Sequence, residues 1–505
     1  MFGDLRELPD RGMDCDILII GSGAAGISLA SQLHDGRRRI VLAEAGGLRV
    51  AESAQSLFAA RQLGEPFAAG EGRFRVFGGT TTAWTGRCAP LDPLDFARRE
   101  WVPHSGWPVL PDAFARWYPQ AAAMCGFQSG WDESPPSLER IRALPDRPDD
   151  LAPFVWRFWG TGRDSYQNWG EHFHLSFRRS RSLHVVLQAN LVGLTPSPDG
   201  RRVTAATLSA PDGRRATVRP RQVVLCCGGI ENARLLLNVA EDDPSLLGEV
   251  KPVLGRYFMQ HPRAVTARIA MNGEQSRQLQ QLFNRFKRNR GPQYESGLCL
   301  SETGQRRHRL LNASAVLRYP GSGPSFPIPR QIRDLDRALT STVRRLRGHE
   351  PLLGAGTASL VIDLEQTPDP ESRIVLDASR DALGLRSAAI DWRIGKDERR
   401  TGHLFTQRIC DWIDRAGLGA SSKIEGLEED GGLRTGEMHE SYHHLGATRM
   451  SETAATGVVD ASLRVHGTDN FYLCGGSVMP TGGHANPTLT IVALALRLGE
   501  MLQAI

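Results

Sequence analysis

The chain has 505 residues, 40% of them hydrophobic, and a net charge of only +5, so it is long enough for two domains sharing a large core and too weakly basic for composition to argue for nucleic acid. Its eight cysteines lack paired CxxC spacing, which reads as reduced, mostly buried thiols, with Cys226-Cys227 packed in an apolar strand, and excludes a disulfide framework or an iron–sulfur set. No His, Cys, Asp and Glu cluster has metal-ligand spacing and no GxSxG elbow occurs, so metal hydrolysis and acyl transfer have no support.

Residues 1–14 are polar and charged, and no later run is apolar for long enough to cross a bilayer; the expectation is a cytoplasmic protein with no integral membrane segment. Asp16-Ile17-Leu18-Ile19-Ile20 predicts a short strand. Gly21, Gly23 and Gly26 follow at GxGxxG spacing, then a helical run over 27–33 and a second strand over 40–43 that ends at Glu44. Glycines there permit a tight turn and close backbone approach to a pyrophosphate at the helix N-terminus, and the acid can take a ribose hydroxyl, so the segment predicts a dinucleotide site.

A small-residue loop, Gly78-Gly79-Thr80-Thr81-Thr82-Ala83-Trp84, would let amides approach a planar ligand, or would be an ordinary tight loop with a core tryptophan. Residues 183–194 and 203–208 read as strands around the turn Ser197-Pro198-Asp199-Gly200. Residues 223–226 form another buried strand that runs into Gly228-Gly229 and a helix, repeating the N-terminal pattern. Over 271–349 arginines crowd in (Arg285, Arg288, Arg290, Arg306, Arg307, Arg309, Arg344, Arg345, Arg347); a solvated basic face is the main reading and docking of an anionic partner or membrane surface the alternative. Residues 357–395 alternate as strands of a sheet with one wet face, and 397–416 reads as a helix.

The last stretch carries the chemistry. It places His443-His444-Leu445-Gly446 before a strand that ends in Gly475-Gly476, and then Gly482-Gly483-His484-Ala485-Asn486-Pro487-Thr488, where proline suits a helix start. The positive end of that helix can stabilise a developing anion. An imidazole is neutral and available as a base near neutral pH. Asn486, just before a proline, has a second reading as a helix N-cap.

Together these residues resemble the glucose-methanol-choline (GMC) flavoprotein oxidoreductases. The likeness rests on GxGxxG with Glu44, Gly78-Gly79-Thr80 to Trp84, Leu254-Gly255-Arg256-Tyr257-Phe258-Met259-Gln260-His261-Pro262, Glu365-Gln366, Ser372-Arg373, Asp391-Trp392-Arg393 and the block from His443 to Thr490. It implies an α/β fold: a Rossmann-like FAD-binding domain (1–105, 181–262 and 440–505) and a substrate domain on a mostly antiparallel sheet (106–180 and 263–439). It further implies FAD held by Gly21, Gly23, Ala24, Ala25, Gly26, Glu44, Ala45, Gly78, Gly79, Thr80, Thr81, Trp84, Val192, Cys227, Gly228, Gly475, Gly476, Asn486, Pro487 and Thr488. His443 and Asn486 fall on the family's catalytic pair, His444 and His484 are substrate-pocket candidates, and packing is the main reading of His261. Some relatives attach the flavin through a histidine where this chain has Ala83, so non-covalent FAD is expected. Thr448-Arg449-Met450 and Ala485 to Thr490 look closest to the bacterial sugar and polyol dehydrogenases and the pyranose-oxidase branch. The implied reaction oxidises a small polar alcohol (sugar, aminosugar, glycoside or polyol) to a carbonyl, with oxygen or an electron carrier as acceptor. A GMC-like oxidase using oxygen and a non-redox lyase with structural FAD are the alternatives.

Overall fold

The apolar run Ile17-Leu18-Ile19-Ile20 has no wet face, as a parallel strand covered on both sides requires, and it forms the buried half of β1 (Met13–Ile20). The computed structural model describes residues 2–505 except 10–11, 35, 128–135, 145, 159–167, 288–292, 320–355, 424–431 and 434–437. β1 leads into α1 (Ala24–Leu33), and β2 (Ile40–Ala43) returns parallel beside β1. On the other side β1 pairs in parallel with the long β3 (Arg215–Leu225), which runs into α2 (Gly229–Asp242).

β3 changes neighbour along its length. Residues 215–218 pair antiparallel with Val203–Ser209, and residues 223–225 pair in parallel with β4 (Phe471–Leu473). Beyond β2 lie Leu183–Leu187 and Phe2–Asp4, both parallel, while Asn190–Pro196 completes the opposite side. The sheet therefore draws its strands from three distant parts of the chain. The single strand expected over 183–194 is two, because Gln188 sits at φ +56 and turns its N–H to the Gly46 carbonyl.

A second sheet is antiparallel throughout: Ala420–Lys423, Arg263–Met271, Gly356–Leu364, Ala313–Arg318, Gln293–Leu300, Leu151–Phe158 and Arg87–Cys88, with Arg285–Lys287 paired to Gln293–Leu300. Successive side chains on a strand point to opposite faces. Ala358, Leu360, Ile362, Ala313, Ala315, Leu298 and Leu300 thus share one buried cluster with Phe405, Ile409 and Trp412 of α3 (Lys396–Arg415). The other face carries Arg263, Glu295, Arg318 and Asp363. Residues 357–395, expected to share one sheet, are divided: Gly356–Leu364 is central in this one, whereas Arg373–Arg380 and Arg386–Asp391 form a small separate sheet with Ala60–Gln62.

Of the arginine-rich region, Arg306 and Arg307 lie on an exposed helix face paired with Glu302 and Asp149, as a solvated surface would be. Arg288, Arg290, Arg344, Arg345 and Arg347 fall outside the described residues. Among the described residues no helix is long and apolar enough to cross a membrane. α4 (Thr488–Gln503) packs along α1, with Gly499 against Gln32.

Candidate active site

The turn after β1 needs glycine for steric reasons. A Cβ on Gly21, at φ +99, would lie 2.5 Å from the Cys226 carbonyl oxygen, and one on Gly26 would lie 1.8 Å from the Gly21 oxygen. At Gly23 and Gly228 an added Cβ meets no protein atom within 4 Å. Those two residues precede α1 and α2, and they face a cavity of about 710 Å³. Glu44 closes the turn: its Oε2 accepts from the Ser22 N–H (3.1 Å) and hydroxyl (2.6 Å), and its Oε1 from Gly46 N–H (2.8 Å). Burial raises the Glu44 carboxyl above its usual range, opposed by the Ser22 hydroxyl.

The same cavity is walled by Gly21, Ala24, Ala25, Ala45, Gly79, Thr80, Thr81, Ala83, Trp84, Cys227, Gly475, Gly476, Asn486, Pro487 and Thr488. Gly26, Gly78 and Val192 do not line it. Gly26 lies where the turn crosses itself, Gly78 turns the loop behind Gly79 at φ +102, and Ala189, Asn190 and Leu191 stand at the wall in place of Val192. A cluster not anticipated from sequence braces this wall: Glu231 accepts from Arg75 and Arg234, both at 3.0 Å, and Arg73 lies 3.5 Å away.

His443 stands where the glycine wall meets the antiparallel sheet. Its Nε2 is 3.0 Å from Asn486 Nδ2, and its Nδ1 is 2.8 Å from His261 Nδ1 and 3.0 Å from Ser441 Oγ. The proton positions follow from the partners. His261 Nε2 faces the Gly482 carbonyl at 3.3 Å, which only accepts, so that nitrogen carries the proton and His261 Nδ1 is a lone pair. The Ser441 hydroxyl donates to the His261 carbonyl at 2.9 Å. His443 therefore donates from Nδ1 and keeps a lone pair on Nε2, where the Asn486 amide donates to it. Burial, and then the nearby His261 and Arg263, hold His443 well below the ordinary imidazole value; burial takes His261 down to about 4.

Asn486 caps no helix. α4 begins at Thr488 with Pro487 in the cap position and no side-chain cap bond, while the Asn486 amide is committed to His443. His444 lines the cavity, stacked on Phe258 at 6.1 Å, and burial with Arg73 nearby lowers it to about 3. The placement of His484 in the pocket needs correction. It is 3% exposed and does not line the cavity; it packs edge-on against Phe154 at 4.4 Å, with Nε2 3.5 Å from Asp92. Just before it Gly483, at φ +54, lies directly over Asp95, where an added Cβ would come within 2.2 Å of Oδ2.

Two groups escaped the sequence reading. His261 is 1% exposed and touches the His443 imidazole, where packing is the main sequence-based reading. The second is the charged face of the antiparallel sheet: Arg87, Arg263, Arg285, Glu295 and Arg318 all line the cavity beside His443. Arg285 had been assigned to a solvated basic face. Alternation along the strands was the available signal, because each of these residues is out of phase with its strand's apolar positions.

Residues 368–495 match the sequence profile described as GMC oxidoreductase. The chain is 26% identical over 307 residues to the fructose dehydrogenase large subunit of Gluconobacter japonicus, a match covering 60% of this chain and 50% of that protein, so it spans half the length of that relative. It is 22% identical over 475 residues to 2-methyl-1,2-propanediol dehydrogenase of Mycolicibacterium austroafricanum, covering 84% of this chain and 80% of that one. Among solved structures, pyridoxine 4-oxidase from Mesorbium loti superposes with a TM-score of 0.58 at 18% identity, over 97% of this chain and 99% of that chain, a likeness of fold.

Proposed function

We propose that the chain is a GMC oxidoreductase that oxidises a CH–OH group of a polar alcohol (sugar, aminosugar, glycoside or polyol) to a carbonyl, as an FAD-dependent enzyme with His443 as the base; the profile match over residues 368–495 and the likeness to two dehydrogenases support this reading. The observation that carries this reading is the His443 Nε2 lone pair, held 3.0 Å from the Asn486 amide on the wall that continues the glycine cradle.

The residues suit FAD. Gly23 and Gly228 leave room where any side chain would intrude on a ligand, and the amide ends of α1 and α2 converge there, favouring a pyrophosphate. Bound FAD supplies the acceptor for the carbinol hydrogen and its two electrons. Ala83 offers no attachment atom, so the flavin is held non-covalently and acid precipitation should release all of it.

The protein's own part is positional and electrostatic. A substrate hydroxyl entering between His443 and Asn486 gives its proton to His443 Nε2, while the Asn486 N–H donates to the alkoxide-like oxygen as charge builds. Burial keeps His443 neutral and so ready to accept. His261 and Ser441 hold the proton on Nδ1 and so make Nε2 the accepting nitrogen. The positive end of α4 adds to stabilisation of negative charge beside Thr488.

The test is anaerobic mixing with a panel of sugars, aminosugars, glycosides and polyols while the flavin absorbance is followed. Bleaching by at least one alcohol supports the reading, and an unchanged yellow colour across the panel with fully loaded enzyme refutes it. The likeness to dehydrogenases favours an electron carrier, so an artificial quinone should turn the enzyme over faster than oxygen does; peroxide formation at an equal or higher rate would make it an oxidase.

A further inference from the structure

The roof of the cavity is unevenly charged. Arg87, Arg263, Arg285 and Arg318 face it, and among the described residues two carboxylates, Glu295 and Asp363, lie among them. Asp363 takes Arg263 in a two-bonded pair (2.6 and 3.0 Å), and Glu295 pairs with Arg318. Arg87 is left between them, 3.2 Å from Glu295 and 3.4 Å from Asp363, with its guanidinium 3.9 Å over the Trp156 ring. It is 7% exposed, and its Nε and Nη2 make no hydrogen bond. Arg285, directly across the ladder from Glu295, rests on the Phe158 ring at 3.9 Å, and no carboxylate among the described residues forms an ion pair with it.

A buried guanidinium without full hydrogen bonding is costly, and its planar fork matches the two oxygens of a carboxylate or phosphate. The surplus sits on the wall that meets His443, away from the turn at Gly21 to Gly26 that suits a pyrophosphate. We propose that the alcohol oxidised here carries an oxyanion, a carboxylate or a phosphate ester, held by Arg87, Arg285 and Arg318 while a hydroxyl elsewhere on the molecule reaches His443. This rests on the oxidoreductase reading and narrows it to polyhydroxy acids or sugar phosphates. Cationic aminosugars become the disfavoured class, because an ammonium group would enter beside uncompensated guanidinium groups.

Compounds of matched skeleton test it: D-glucitol (neutral), D-gluconate (carboxylate), D-glucitol 6-phosphate (phosphate) and D-glucamine (cation), each mixed anaerobically with holoenzyme over a range of concentrations. The dissociation constant governing flavin bleaching should be about tenfold or more lower for at least one anion than for glucitol, the increment of one charge-assisted contact, and highest for glucamine. Whichever anion leads, the carboxylate or the phosphate, identifies the source of the oxyanion. Arg285→Met keeps the contact with Phe158 and leaves no protein carboxylate unpaired, so the variant should fold and the anion-over-glucitol ratio should fall about tenfold, with partial recovery in Arg285→Lys. Equal binding of all four compounds, or an unchanged ratio in Arg285→Met, overturns the anion site while bleaching itself leaves the oxidoreductase reading intact. If none of the four bleaches the flavin, competition by adipate but not by 1,6-diaminohexane for perturbation of the flavin spectrum still supports the anion site, and competition by neither overturns it.

Discussion

Replacing His443 with alanine removes the nitrogen, Nε2, that accepts from the Asn486 amide and is proposed to take the substrate's proton. His443→Ala should slow flavin reduction by roughly 10²- to 10⁴-fold, the usual contribution of a positioned proton acceptor, which corresponds to about 3–5.5 kcal/mol of barrier. The fold should tolerate the change. The partners abandoned are His261 Nδ1 and Asn486 Nδ2, and each lost neutral hydrogen bond is worth about 1 kcal/mol. FAD should stay bound, since the glycine turn of β1 and α1 lies on the other sheet. The assay is rapid anaerobic mixing with flavin absorbance as readout, repeated from pH 5 to 8. In the parent the base is already neutral above its depressed value, so the reduction rate should be flat across neutral pH and fall only on the acid side of the ordinary imidazole range. A variant that reduces within a few-fold of the parent, with the same pH dependence and full flavin content, would refute the assignment and move attention to His444.

Other consequences are open to measurement. Gly26→Ala should abolish flavin binding and lower the yield of folded protein, because its Cβ would overlap the Gly21 carbonyl, whereas Gly23→Ala should fold and lose FAD affinity alone; equal flavin content in both would contradict the steric account. Arg99 and Glu365 are both fully buried and joined by bonds of 2.7 and 2.5 Å, so Arg99→Met should destabilise the protein by about 3–5 kcal/mol, seen as a large drop in Tm, since Glu365 would keep only the Asn312 N–H. Burial holds His261 at about 4 and His444 at about 3, below the 6.5 of an unfolded histidine. The unfolded chain therefore takes up protons between those limits while the folded chain does not, so Tm should fall as pH drops from about 6.5 toward 4. His444→Phe should flatten that slope, and an unchanged slope would count against a buried neutral imidazole there.

The glycine-rich turn and its strands are legible in sequence because their constraints are local. A strand buried on both faces must be uniformly apolar, and Gly21 and Gly26 must be glycine whatever lies far away, so both left a mark at fixed spacing. The pairing of His443 with Asn486 was legible through likeness to a family, and the structure settles the competing helix-cap reading through where the Asn486 amide points. His261 and the arginine roof were not legible in this way. Their meaning depends on strands far apart in sequence: Arg87, Arg263, Arg285 and Arg318 become neighbours only once the second sheet is registered, and in the linear chain Arg285 looks like one basic residue in a basic stretch. His484 is misplaced for a related reason, since a spacing of two residues from Asn486 does not say which neighbours each side chain meets: His484 packs on Phe154, whereas Asn486 reaches His443.

The mid-length change of neighbour in β3 sets an order of assembly. Residues 223–225 present a bare parallel edge until residues 471–473 dock against it, and the chain between them includes most of the antiparallel sheet. Pairings so distant in sequence are slow to close, and an unfilled edge is a template for pairing with another chain. During synthesis residues up to 473 must therefore leave the ribosome before this sheet is finished. Asn486 and the start of α4 arrive in the same event. A nascent or truncated chain ending before β4 should accumulate as chaperone-bound or aggregated material, and flavin added during translation should be captured only after β4 has emerged.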